Sequence, residues 1–196
     1  MKPIILTDKP LTVDRPFIFI DLDGTCARFR LMHEEYKIGN TVKFFHPEDL
    51  YEKGYFLALE PVIQMVNTTK KLIEDGFNVS ILSSCLFDSK YAKNEKIAWV
   101  HKYISEDIPI ILTPCGTKKS DFIQSDGSIQ ILIDDYSKNL FEWEEKPNFK
   151  GIKVRTPING TRGTWQKASI TLDLPYKEIK SLITDLIIRG TYEQNR

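Results

Sequence analysis

Short apolar runs punctuate the chain at 17–20 (FIFI), 78–82 (NVSIL), 110–113 (IILT), 129–133 (IQILI) and 152–154 (IKV). Each is four or five residues or fewer and rich in β-branched or aromatic side chains, the pattern of a strand buried on both faces. Between them, apolar residues recur at helical spacing. Pro61 opens one such stretch, Val62, Met65, Val66, Leu72 and Ile73 form its apolar side, and Gly76 closes it. Residues 90–104 form a second, with Ile97, Val100 and Ile104 on one side and Pro109 beyond. Ser137 reads as the cap of a short third helix containing Leu140 and Trp143. Residues 176–189 form a fourth, with Ile179, Leu182, Ile183, Leu186 and Ile187 on one side and Gly190 after it.

Buried strands alternating with amphipathic helices predict an α/β fold, a Rossmann-like three-layer arrangement of a parallel sheet between helices. Residues 28–60 break the alternation. They carry Phe29, Tyr36, Phe44, Phe45, Tyr51, Tyr55 and Phe56, and read as an insertion over the sheet edge. The expected organisation is a core of residues 1–27 and 61–196 with a small cap at 28–60.

Composition narrows the partners. Lys and Arg number 27, as do Asp and Glu, so the formal net charge is zero. Nucleic-acid and anionic-membrane binders usually show a basic excess or stripe, and the balance here argues against a polynucleotide. No apolar run approaches the roughly 20 residues that span a bilayer. The first residues, MKPIILTDKP, lack a signal-peptide apolar region. The three cysteines, Cys26, Cys85 and Cys115, have no CxxC spacing and read as free thiols of a reducing compartment. A soluble cytoplasmic protein is expected.

Ligands of open parallel sheets gather beyond the carboxyl ends of the strands, and there the polar residues of this chain are distinctive. The first strand ends in Asp21, with Asp23 two residues on. The second ends in Ser83 and Ser84. The third leads through TPCGT to Lys118 and Lys119, and the fourth ends in Asp134 and Asp135. A lone DxDG is also a common turn or helix cap, but here each member of the set closes a strand. Carboxylates packed together raise one another's pKa unless a cation neutralises them, and oxygen donors suit a hard ion such as Mg²⁺.

DLDGT, a hydroxyl residue after ILS, a lysine opening a later helix, and IDD after an apolar strand together resemble the four motifs of the haloacid dehalogenase superfamily. The resemblance covers most of the chain. It implies a phosphatase in which Asp21 is the nucleophile and Asp23 the general acid/base. Ser83 and Ser84 would meet the phosphoryl oxygens, and Lys119 or Lys118 would steady nucleophile and phosphate. Asp21, the carbonyl of Asp23, Asp134 and Asp135 would hold Mg²⁺. GYFLALEPV (54–62), KIAWVHKY (96–103), IILT and ILIDD resemble more narrowly the 5'(3')-deoxyribonucleotidase family. That family has a small helical cap after the first motif, whose aromatics stack on the base of a nucleoside monophosphate; Phe29, Phe44 and Phe45 are the candidates here.

The second motif departs from that family, reading SSC instead of threonine, serine and proline. Segment 155–165, RTPINGTRGTW, has no counterpart, and its Arg162 reads as a solvated loop charge. The alternatives are a phosphatase for a sugar phosphate or a nucleic-acid 3' phosphate, and a binding module without turnover. A calcium loop fails, because position six from Asp21 is Cys26 and position twelve is Met32. A cysteine phosphatase fails because Met32, Tyr91 and Asp121 stand where its arginine is needed. His33, His46 and His101 lack zinc-ligand spacing, and no phosphate-binding GxxxxGK[ST] loop is present.

Overall fold

The apolar runs become neighbouring strands of one sheet, and the polar residues that end them come out along a single edge. A computed structural model describes residues 4–6, 16–124, 127–159 and 165–194. Arg162 lies outside the described residues. The strands are β1 (Ile4–Leu6), β2 (Phe17–Ile20), β5 (Asn78–Cys85), β6 (Ile110–Pro114), β7 (Gln130–Asp134), β8 (Phe149–Arg155) and β9 (Ser169–Thr171), with β3 (Glu35–Ile38) and β4 (Thr41–Phe44) forming a separate hairpin. The main sheet has the order β1-β6-β5-β2-β7-β8-β9. All its neighbours are parallel except β1, which runs antiparallel to β6 at the edge.

β2 is the hinge of this topology. It pairs with β5 on one side, Ile18 opposite Val79, and with β7 on the other, Ile18 opposite Ile131. After β2 the chain moves outward through β5 and β6, then returns to build β7, β8 and β9 on the opposite flank. That reversal opens a crevice at the carboxyl end of β2, where ligands of such sheets bind.

Strand periodicity sorts the core into two layers. Ile18 and Ile20 face helices α1 (Ile63–Glu74), α2 (Ala92–Tyr103) and α4 (Tyr176–Gln194), meeting Met65, Leu72, Trp99, Val100, Ile179 and Ile183. Phe17 and Phe19 point the other way, toward α3 (Ser137–Trp143), where Leu140, Trp143, Phe149 and Trp165 complete the layer. All four residues of β2 are buried. Helix, sheet and helix make the expected three layers.

Several details differ from the sequence expectation. β1 and β9 are too short to carry a periodic signal. Ser137 is the first residue of α3, with Tyr136 at the capping position, and its hydroxyl instead accepts a hydrogen bond from Lys153 Nζ at 2.6 Å. α4 runs through Gly190 to Gln194, since a glycine inside a helix costs only about 1 kcal/mol against alanine.

Residues 28–60 leave and return through a narrow neck. Arg28 N–H donates to Glu60 O at 2.8 Å, Val62 N–H to Cys26 O at 2.8 Å, and Ala27 bridges Pro61. The segment was expected to be helical, but its helical element is a single 3₁₀ turn, Pro47–Tyr51, and the β3–β4 hairpin supplies the rest of its regular structure. Its aromatics pack on one another. Tyr55 is buried and contacts Phe29, Tyr36, Phe45 and Phe56, and the Arg30 guanidinium lies over the rings of Tyr36 (4.3 Å) and Tyr55 (5.0 Å). No helix among the described residues is long and apolar enough to cross a membrane.

Candidate active site

Asp21 continues β2 past its last ladder residue, its N–H donating to Ile133 O at 2.9 Å. That bond carries its side chain to the sheet edge beside the end of β7. Leu22 then turns inward and accepts from the N–H groups of Cys26 and Ala27. Gly24 makes the turn possible: its φ is +85°, and a Cβ there would sit 2.3 Å from Asp135 Oδ2. Only glycine lets this backbone approach that carboxylate.

Asp21, Asp134 and Asp135 are buried, and each offers a carboxylate oxygen within 4.8 Å of the others. Lys119 Nζ, itself 2% exposed, lies between two of them, 2.7 Å from Asp21 Oδ1 and 2.7 Å from Asp134 Oδ2. Asp134 is further held by the N–H of Tyr136 at 2.7 Å and by Asn139 Nδ2 at 2.8 Å. Asp135 receives Asn159 Nδ2 at 2.7 Å and the Thr156 hydroxyl at 3.5 Å, both on Oδ2. Lys153 reaches only its backbone carbonyl, at 3.1 Å.

The electrostatics follow from this packing. Burial, reinforced by Asp134, Asp23 and Asp135, pushes Asp21 up to about 8, although Lys119 pulls the other way. Burial and the adjacent Asp134 push Asp135 up to about 7. For Lys119 burial opposes the charge, but Asp134 and Asp21 outweigh it, so the ammonium is held charged.

Asp23 stands half-buried on the other side of Asp21. One oxygen, Oδ2, pairs with Lys96 Nζ, while Oδ1 is buried with no hydrogen-bond partner among the described residues. Three of the four carboxylates are ion-paired, Asp23 with Lys96 and both Asp21 and Asp134 with Lys119, while the Asp135 side chain meets no cation among the described residues. With all four ionised they carry two more negative charges than these two ammonium groups supply. Hard anionic oxygens with that excess fit a divalent cation of the Mg²⁺ class. Of the neighbouring pair, Asp134 is saturated by Lys119, Tyr136 and Asn139, so Asp135 is the better placed to turn an oxygen toward a metal.

The cavity over these groups measures about 300 Å³, and Asp21, Asp23, Ser84, Lys119, Phe29 and Asn159 are among its walls. Phe29 and Ile158 also line an adjoining, mainly apolar cavity of about 500 Å³. Ser83 is fully buried; its hydroxyl donates to Ser84 O at 3.3 Å and accepts from Lys96 at 3.3 Å.

Three residues singled out in the sequence are not brought here. Lys118 points to solvent and pairs with Glu145 at 2.6 Å. Its backbone is extended (φ −69°, ψ 123°) just before the 3₁₀ turn Lys119–Phe122, so the two lysines diverge. Phe45 is buried against Phe29 and Tyr55, inside the aromatic cluster. Phe44, one residue earlier on the hairpin, is 56% exposed and outside the cavity. Conversely, Lys96, Asn139, Thr156 and Asn159 were not foreseen. Lys96 carried a faint signal, a lysine on the apolar side of a predicted helix, and Asn159 none. Comparison with protein-family models and with curated proteins returns no match for this chain.

Proposed function

We propose that the chain is a Mg²⁺-dependent phosphomonoesterase that works through an aspartyl-phosphate on Asp21, with a nucleoside monophosphate as its substrate class. The observation that carries this reading is the unequal treatment of Asp21 and Asp23. Asp21 is buried beside Lys119 and two further carboxylates, whereas Asp23 is half-buried in the cavity wall and pairs with a different cation, Lys96. One group is built to attack at a fixed place and the other to exchange a proton.

In the first step a carboxylate oxygen of Asp21 bonds to phosphorus, the ester P–O bond breaks, and the leaving oxygen takes the proton from Asp23. In the second, water attacks the same phosphorus, gives its proton to Asp23, and the bond to Asp21 breaks to release inorganic phosphate. Lys119 and the Ser84 region of the cavity wall meet the charge that builds on the phosphoryl oxygens. A cation held by Asp21, Asp135 and the carbonyl of Asp23, with Asp134 beside it, would add charge neutralisation. Phe29, shared by the phosphate cavity and its apolar neighbour, supports an organic group with a flat face on the leaving side, since base–aromatic stacking contributes about 1–3 kcal/mol.

The test is phosphate release from an aryl phosphate with and without Mg²⁺, followed by a panel of nucleoside and sugar monophosphates. Turnover is expected only with the metal and is abolished in Asp21→Asn, whose neutral amide cannot attack phosphorus. An active Asp21→Asn protein, or the absence of any Mg²⁺-dependent release, overturns the reading.

A further inference from the structure

Lys96 is buried to 2% exposure in the second turn of α2, a place where an isolated ammonium is costly. Its three N–H donors are all spent at the sheet edge. They reach Asp23 Oδ2, the Ser83 hydroxyl at 3.3 Å and the Ser84 carbonyl at 2.6 Å, and the ammonium lies 4.7 Å over the Phe56 ring. Its neighbour Glu95 is also buried, and its two oxygens accept the N–H groups of Gly54 (2.5 Å) and Phe56 (3.1 Å). One turn on, Trp99 Nε1 donates to Leu59 O at 2.8 Å. A single helix therefore sets the end of the 28–60 segment and the Asp23 carboxylate in one register.

We propose that Lys96 is a positioning residue that fixes the Asp23 carboxylate at the cavity wall in the orientation needed for proton transfer to the leaving group. This rests on the phosphatase reading, in which Asp23 moves the protons. The geometry separates it from a purely structural role: fold support alone does not require all three donors of a buried ammonium to converge on a cavity-wall carboxylate and the two serines near the end of the neighbouring strand. The consequence is a dependence on leaving group. An ester of a strongly acidic phenol departs without a proton, whereas an alkoxide needs the one Asp23 supplies, a contribution worth roughly 10²–10⁴-fold.

The experiment compares kcat/KM, which covers the steps through P–O cleavage, for para-nitrophenyl phosphate and glycerol phosphate with Mg²⁺. It uses the wild-type chain, Lys96→Met and Lys96→Arg. Lys96→Met is expected to lose at least ~30-fold on the glycerol ester and no more than ~3-fold on the aryl ester, a fraction of what general acid catalysis provides. Lys96→Arg, which keeps the charge but moves it, falls between. Circular dichroism checks the fold; if the methionine variant does not fold, the arginine variant carries the same comparison, with the glycerol ester again the more affected. Equal losses on both esters, or none, overturn the positioning role while leaving the phosphatase reading intact. A wild-type chain that hydrolyses neither ester overturns both.

Discussion

At the scale of single residues, the lysine pair 118–119 shows how much one position of backbone decides. Both side chains carry the same charge and both follow the same loop. The 3₁₀ turn begins at Lys119, which buries its ammonium between Asp21 and Asp134, while the extended residue before it leaves Lys118 with Glu145 in solvent. Exposed pairs of that kind contribute about 0–1 kcal/mol. Lys118→Ala is therefore expected to hydrolyse phosphate esters at the wild-type rate. Under the proposed phosphatase reading, Lys119→Met removes the buried cation beside Asp21 and should lower kcat about 10²–10³-fold, the usual effect of losing one charge-stabilising donor. Steady-state kinetics of the two variants side by side check this, and comparable losses in both would reverse the assignment. A sequence of two adjacent lysines contains no periodicity that separates them. The same limit applies to Phe44, which ends the exposed strand β4, and Phe45, which one residue later is buried against Phe29 and Tyr55; the hairpin is too short and too polar to announce that change.

At the scale of elements, the central parallel strands β2, β5, β6 and β7 were legible because they are buried on both faces and read as mainly apolar runs. The connection from β8 to β9 was not, although it delivers Thr156 and Asn159 to Asp135. Its residues follow no period, and their partners lie more than twenty positions away in sequence. Trp165 anchors the far end of that connection, with its ring against Gly151 of β8 and its Nε1 donating to Ala168 O at 2.9 Å. A Cβ at position 151 would stand 2.8 Å from the Trp165 ring and 3.2 Å from Leu140 Cβ. Both contacts are fully buried, and overpacking of this kind costs about 1–3 kcal/mol. Gly151→Ala is expected to lower unfolding free energy in a urea titration by that amount. A variant as stable as the wild-type chain would show that the tryptophan does not brace the strand.

At the scale of the whole molecule, the buried carboxylates couple stability to pH. Burial raises Asp21 to about 8 and Asp135 to about 7 from 3.8. Folded chain therefore holds protons that unfolded chain has released across this interval, and ∂ΔG/∂pH is negative there. The contribution of these two groups to stability is complete below the unfolded value and is lost as pH rises through 7 and then 8. A divalent cation held by these carboxylates would reverse the sign, because it would take their ionised form in the folded state, displace the protons, and stabilise by RT ln(1 + [L]/Kd). Its affinity must rise with pH over the same interval, because at low pH binding has to expel protons first. Thermal melts with and without Mg²⁺ are expected to show a Tm increase that is small near about pH 5 and larger near about pH 8, since each tenfold gain in affinity adds about 1.4 kcal/mol once the site is saturated. Asp135→Asn, which removes one anionic oxygen pair from the buried triad, should flatten that dependence. A Tm increase of the same size at both pH values would mean that the cation stabilising the fold is bound elsewhere on the chain.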